Sequence, residues 1–98
     1  MDRDQEAYDL TKKAEKKLKP GFFAKMASSA SSRNEEALDL YEKAGNLYKL
    51  SKNWMEAGRC FEKCGELEES LGADGASHYQ DSAHCYSFID QQSNLFNN

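Results

Sequence analysis

The sequence has one proline, six glycines and three cysteines, and no apolar run near the ~20 residues that span a bilayer. So few chain-breakers, with 39% apolar and 31% charged residues, exclude a collagen-like or disordered segment and point to helix. An odd number of cysteines without secretory features excludes a disulfide framework and leaves reduced thiols. The first residues, Met1-Asp2-Arg3-Asp4-Gln5-Glu6, have no apolar h-region and so form no secretory signal. Asp2 stands where N-myristoylation requires glycine. There is no Gly-rich phosphate loop, and His78 and His84 come without an evident carboxylate or nucleophile partner. No enzyme and no cofactor is expected, and the expected compartment is the cytoplasm.

What is present is an uneven charge distribution. Residues 1–33 carry eight Lys and Arg against five Asp and Glu, whereas residues 34–98 carry five against twelve. The front is about +3 and the body about −7 within a net charge of −4. Lys12, Lys13, Lys16, Lys17, Lys19 and Lys25 are accompanied only by Glu15. An acidic body argues against nucleic acid, and the basic front suits an anionic surface.

Apolar periodicity predicts about four helices in one all-α domain over residues 1–90, with a frayed polar tail at 91–98. Ala7, Leu10, Ala14 and Leu18 share the first face, which Pro20-Gly21 closes. Ser32-Arg33-Asn34-Glu35 has the capping-box pattern for a second helix burying Ala37, Leu40, Tyr41, Ala44, Leu47 and Tyr48. Asn53 caps a third, with Trp54, Ala57, Phe61, Cys64 and Leu71 near one stripe. After a Gly-Ala-Asp-Gly turn at residues 72–75, Ser77-His78-Tyr79-Gln80 starts a fourth, running to about Asp90.

The chain repeats itself. Glu36-Ala37, Tyr41-Glu42-Lys43-Ala44-Gly45 and Leu47 match Glu56-Ala57, Phe61-Glu62-Lys63-Cys64-Gly65 and Leu67, all displaced by 20 residues. A weaker copy, Asp81-Ser82-Ala83-His84-Cys85-Tyr86, mirrors Glu56 to Phe61 at a displacement of 25. Small residues (Ala37, Ala57) admit a neighbouring helix, an aromatic four positions on (Tyr41, Phe61) fills the groove, and Gly45 and Gly65 allow close approach. This grammar is that of antiparallel helix pairs in a tetratricopeptide-like (TPR-like), right-handed solenoid. An ordinary four-helix bundle is the plainer alternative.

Residues 20–32 are long for a helix connection and rich in small residues. Gly21-Phe22-Phe23, then Met26, then serines, read as a membrane-touching loop with an anionic-lipid collar of Lys16, Lys17, Lys19 and Lys25. Burying both phenylalanine rings contributes about 3–6 kcal/mol. Each nearby lysine adds about 1 kcal/mol on an anionic leaflet, so attachment is weak and reversible. The plainer alternative packs one ring beneath the loop. Cys60, Cys64 and His84-Cys85 raise a zinc site, but Cys64 occupies the small-residue slot of Ala44, and a buried thiol suffices. Trp54 is read as a wedge between the second and third helices, with a partner hot spot as the alternative.

From about Glu6 to Asp90 the chain resembles the soluble NSF attachment protein (SNAP) family, closer to the alpha type. The resemblance rests on Ala14-Glu15-Lys16-Lys17, Gly21-Phe22-Phe23 with its serine-rich tail, and Glu35-Glu36-Ala37. It continues through Tyr41, Ala44, Leu47-Tyr48-Lys49, Lys52-Asn53-Trp54, Ala57-Gly58 and Cys85-Tyr86. It implies a cytoplasmic, peripheral-membrane adaptor that coats syntaxin-like SNARE bundles and recruits the ATPase NSF. The family's membrane loop maps onto Phe22, Phe23 and Met26. Because family members are much longer, the resemblance implies an N-terminal fragment or truncated form without the NSF-stimulating region. Such a chain is expected to compete with full-length SNAP; a generic TPR-like peptide scaffold is the other reading.

Overall fold

A computed structural model describes residues 2–97, with the side chains of Phe23, Ala24 and residues 90–97 outside the described set. It contains α1 (Arg3–Leu18), α2 (Phe22–Ala27), α3 (Ala30–Leu50), α4 (Trp54–Ser70) and α5 (Ala76–Asn97). The short connections turn the long helices back on one another in antiparallel pairs. Helix α1 packs on α3, α3 on α4 and α4 on α5, forming a slab of 55 × 32 × 16 Å. The expected all-α, TPR-like arrangement is present.

The short helix α2 lies in the stretch read from sequence as a loop. Between Gly21 and Ser28 nothing breaks a helix, and the Lys25 N–H reaches the Gly21 carbonyl at 3.0 Å. Helix α3 also begins earlier than expected. Its N-cap is Ser29, whose hydroxyl accepts from the Ser32 N–H at 3.1 Å, so the serine run supplies both a cap and a first turn.

The ends of α3 and α4 close in the same way. The Asn53 N–H bonds Tyr48 O at 2.9 Å and the Lys52 N–H bonds Lys49 O at 3.0 Å. Twenty residues on, the Ala73 N–H bonds Glu68 O at 2.8 Å and the Gly72 N–H bonds Glu69 O at 3.0 Å. Both are Schellman closures, which require a left-handed residue after the cap. Lys52 takes that position at φ 61° and Gly72 at φ 84°. The repeat thus extends through the turn, and residues 73–75 follow the closure. Helix α4 is capped by Asn53, as expected. At α5 the Asp74 carboxylate accepts from the Ala76 N–H at 2.9 Å, so the start lies ahead of the expected Ser77. Without Gly or Pro after Asp90, the α5 backbone stays helical to Asn97, beyond the end read from the apolar pattern.

The core is narrow and built largely from small residues and rings. Ala7 and Ala14 of α1 meet Ala37, Tyr41, Ala44 and Tyr48 of α3; Ala57, Cys60, Phe61, Cys64 and Leu67 of α4 and Cys85 of α5 continue it. Burial pushes the Tyr41 and Tyr48 phenols up to about 12, so both remain neutral. At α3–α4, the Phe61 ring lies against Gly45, where a Cβ would stand 3.0 Å from it. At α4–α5, the Tyr79 ring covers Gly65 and the Tyr86 ring covers Gly58. Buried Ser82, which matches Ala57 in the third copy, donates to Gly58 O at 2.9 Å. At these three glycines the missing Cβ admits an aromatic ring, where close approach of a second backbone was expected at Gly45 and Gly65.

Trp54, expected as a wedge between α3 and α4, packs against the core and also reaches α5. Its half-buried ring stacks on Phe88 of α5 at 4.5 Å, and Phe88 in turn meets His84 edge-on at 4.9 Å. As the first residue of α4, it lies beside the middle of antiparallel α5.

Candidate functional site

The sequence-predicted membrane residues converge where α1 ends, α2 runs and α3 begins. Lys16 and Lys17 crowd the last turn of α1, where cations favour the negative end of the helix dipole. Pro20-Gly21 ends that helix and turns the chain into α2. Phe22 is 73% exposed and Met26 74% exposed, one helical turn apart on α2, with Lys25 exposed beside them. Two large apolar side chains one turn apart in water form an apolar ridge. Phe23, the third expected member, has its side chain outside the described residues.

Behind this ridge is a cleft of about 500 Å³, lined by Lys16, Lys17, Lys19, Pro20, Gly21, Ser28, Arg33 and Glu36. Arg33 Nη1 donates to Ser28 O at 2.6 Å and Ser28 Oγ at 3.2 Å, which fixes the guanidinium on the wall. Lys17 pairs with Glu36 at 2.9 Å in an exposed salt bridge. The expected collar of four lysines is therefore rearranged. Lys16, Lys17 and Lys19 share a cleft with Arg33, Lys17 is partly neutralised, and Lys25 stands on the ridge outside the lining. Sequence reasoning missed Arg33. It lies just beyond the serine run, and only the antiparallel packing of α1 and α3 brings it beside the lysines.

The other candidates resolve differently. Cys60, Cys64 and Cys85 are free and buried. Burial, with nearby acidic charge, pushes the Cys60 thiol up to about 12 and raises Cys64 as well. Among the described residues no group of three or more His, Cys, Asp and Glu side chains is placed to hold a metal ion. His78, read from sequence as lacking a carboxylate partner, has two. Nδ1 contacts Glu68 Oε1, and Nε2 lies 2.9 Å from Glu42 Oε2, joining α3, α4 and α5. Sequence distance hid this: Glu42 lies 36 residues away.

Comparison with known proteins is decisive for descent. The family model described as soluble NSF attachment protein matches residues 5–95. The chain belongs to the SNAP family. Its relatives include bovine beta-soluble NSF attachment protein, 32% identical over 93 residues, covering 92% of this chain and 31% of that protein. Grape alpha-soluble NSF attachment protein is 36% identical over 88 residues, covering 87% of this chain and 28% of that protein. The vesicular-fusion protein SEC17 of Komagataella phaffii is 43% identical over 65 residues, or 64% and 22%. This SNAP-family chain thus spans about a third or less of the length of these relatives. No solved structure matches it.

In this SNAP-family chain the positions singled out by repetition lie inside the fold. Ala37, Tyr41, Gly45, Ala57, Phe61 and Gly65 are all buried at helix crossings. Among the described residues of this SNAP-family chain, Phe22 and Met26 of α2 are the most exposed large hydrophobic side chains.

Proposed function

We propose that this chain acts as a cytoplasmic, peripheral-membrane adaptor in vesicle fusion, touching an anionic membrane through α2 while its helical slab engages an assembled SNARE bundle that NSF takes apart. The reading draws on relatives named for NSF attachment and vesicular fusion. The observation that carries it to a site is the exposed Phe22–Met26 ridge beside a cationic cleft. No helix among the described residues is long and apolar enough to cross a membrane, so contact would be interfacial. Burying Phe22 and Met26 contributes about 1.5–3 kcal/mol each, which suits a reversible attachment strengthened by several copies on one bundle.

Co-sedimentation with phosphatidylserine vesicles tests the membrane part. The wild type is expected to pellet with vesicles and a Phe22→Ser/Phe23→Ser variant to remain in solution; equal pelleting would refute it. Pull-down on an assembled SNARE bundle, with and without NSF, tests the adaptor part. Retention on the bundle without NSF is the expected result, and no retention in either condition would leave a generic scaffold as the better description.

A further inference from the structure

We propose that the cleft between the end of α1 and the start of α3 binds a phosphomonoester carried on a membrane lipid headgroup. The inference rests on the membrane-contact reading and adds a ligand to it. Four basic residues line the cleft: Lys16, Lys17 and Lys19 at the α1 end and Arg33 of α3. Glu36 is the one carboxylate in the lining, and it is engaged with Lys17 at 2.9 Å.

Shape and charge together distinguish this ligand from anionic lipid in general. A phosphodiester lipid spreads single charges over a plane, and a flat collar of lysines meets it equally well. A recess of about 500 Å³ lies within the range of small-ligand sites and offers a compact group a concave face rather than a plane. A phosphomonoester carries about −1.5 to −2 charge and three acceptor oxygens, enough to engage several cations at once. Arg33 is suited to that task. Its bond to Ser28 uses Nη1 and holds the side chain on the wall, and a guanidinium has further donors on its other nitrogens.

Position supports a lipid source rather than a soluble one. Gly21 lines the cleft, and the next residue, Phe22, opens the exposed ridge of α2. When Phe22 and Met26 enter the acyl boundary, the cleft behind them lies at headgroup level.

The test is vesicle flotation at matched net charge. One set of phosphatidylcholine vesicles carries phosphatidylserine, and the other carries phosphatidylinositol bisphosphate. The wild type is expected to bind the second about tenfold more tightly. A Lys16→Gln/Lys19→Gln variant should retain its circular dichroism and lose that preference, binding both sets about equally. Glu36→Gln, which releases Lys17, should strengthen the preference. Equal wild-type binding to both sets overturns the headgroup site while leaving membrane contact standing. Binding to neither overturns the membrane reading and this inference with it. Soluble inositol trisphosphate should compete only weakly; competition as strong as that of bisphosphate vesicles would assign the cleft to a soluble ligand and overturn the lipid source.

Discussion

Gly75 lies directly against Gly65: a Cβ at position 75 would stand 2.6 Å from the Gly65 carbonyl oxygen and 3.0 Å from its Cα. The obstacle is backbone, which cannot swing aside as a flexible side chain does. Gly75→Ala should therefore force α4 and α5 apart, costing about 1–3 kcal/mol by overpacking. Gly21→Ala is the control, because a Cβ there meets nothing within 4 Å. Urea unfolding of both variants checks the contrast, and equal midpoints would contradict this contact.

The two Schellman turns predict opposite responses to exchanged residues. Lys52 holds φ 61°, a conformation that costs a non-glycine residue energy, whereas Gly72 holds φ 84° at little cost. Lys52→Gly should stabilise the domain by about 0.5–1 kcal/mol, and Gly72→Ala should destabilise it by a similar amount. Thermal midpoints moving in the same direction would count against the shared closure.

His78 predicts a pH dependence. Burial lowers its pKa, but the hydrogen bonds and charges of Glu68 and Glu42 outweigh that, and the net shift is upward from 6.5. A raised folded-state pKa means the folded protein holds the proton more tightly than the unfolded chain. The stabilisation is therefore fully present below about pH 6.5 and is lost as pH rises through the raised value. Urea midpoints should fall across that window in the wild type and fall less in His78→Gln.

Ala57 is wholly buried, and its neighbour Gly58 lies beneath the Tyr86 ring. Ala57→Trp should loosen or unfold the domain, because there is no space for an indole at that crossing. An unchanged melting temperature would argue against tight packing of α4.

The cysteines should behave as core residues. With burial raising their thiol pKa values, Cys60, Cys64 and Cys85 should react with a thiol reagent only after denaturation. Cys64→Ala should cost only about 1 kcal/mol, since Ala44 fills the equivalent slot one repeat earlier. Fast labelling of all three in the native protein would contradict their burial.

Much of the fold was legible because it is periodic. The displacement of 20 residues marked Ala37 with Ala57, Tyr41 with Phe61 and Gly45 with Gly65, and all six are buried. Asn53 was readable as a cap because its side chain meets its own first turn. The cleft was less legible. The lysines stood out as a cluster, but Arg33 and Glu36 join them only when α1 and α3 fold against each other. The helix in residues 22–27 was obscured by the small residues after it.

Composition and periodicity, which act within a turn or two of chain, determined that this protein is a set of amphipathic helices with repeated small and aromatic positions. They also determined its basic front and acidic body. Tertiary structure decided which residues meet across helices: Trp54 with Phe88, His78 with Glu42 and Glu68, and Lys17 with Glu36. The physical reason is distance along the chain. A cap or a helix face is set by neighbours a few residues apart, whereas a cleft or an ion pair depends on where separate helices come to rest.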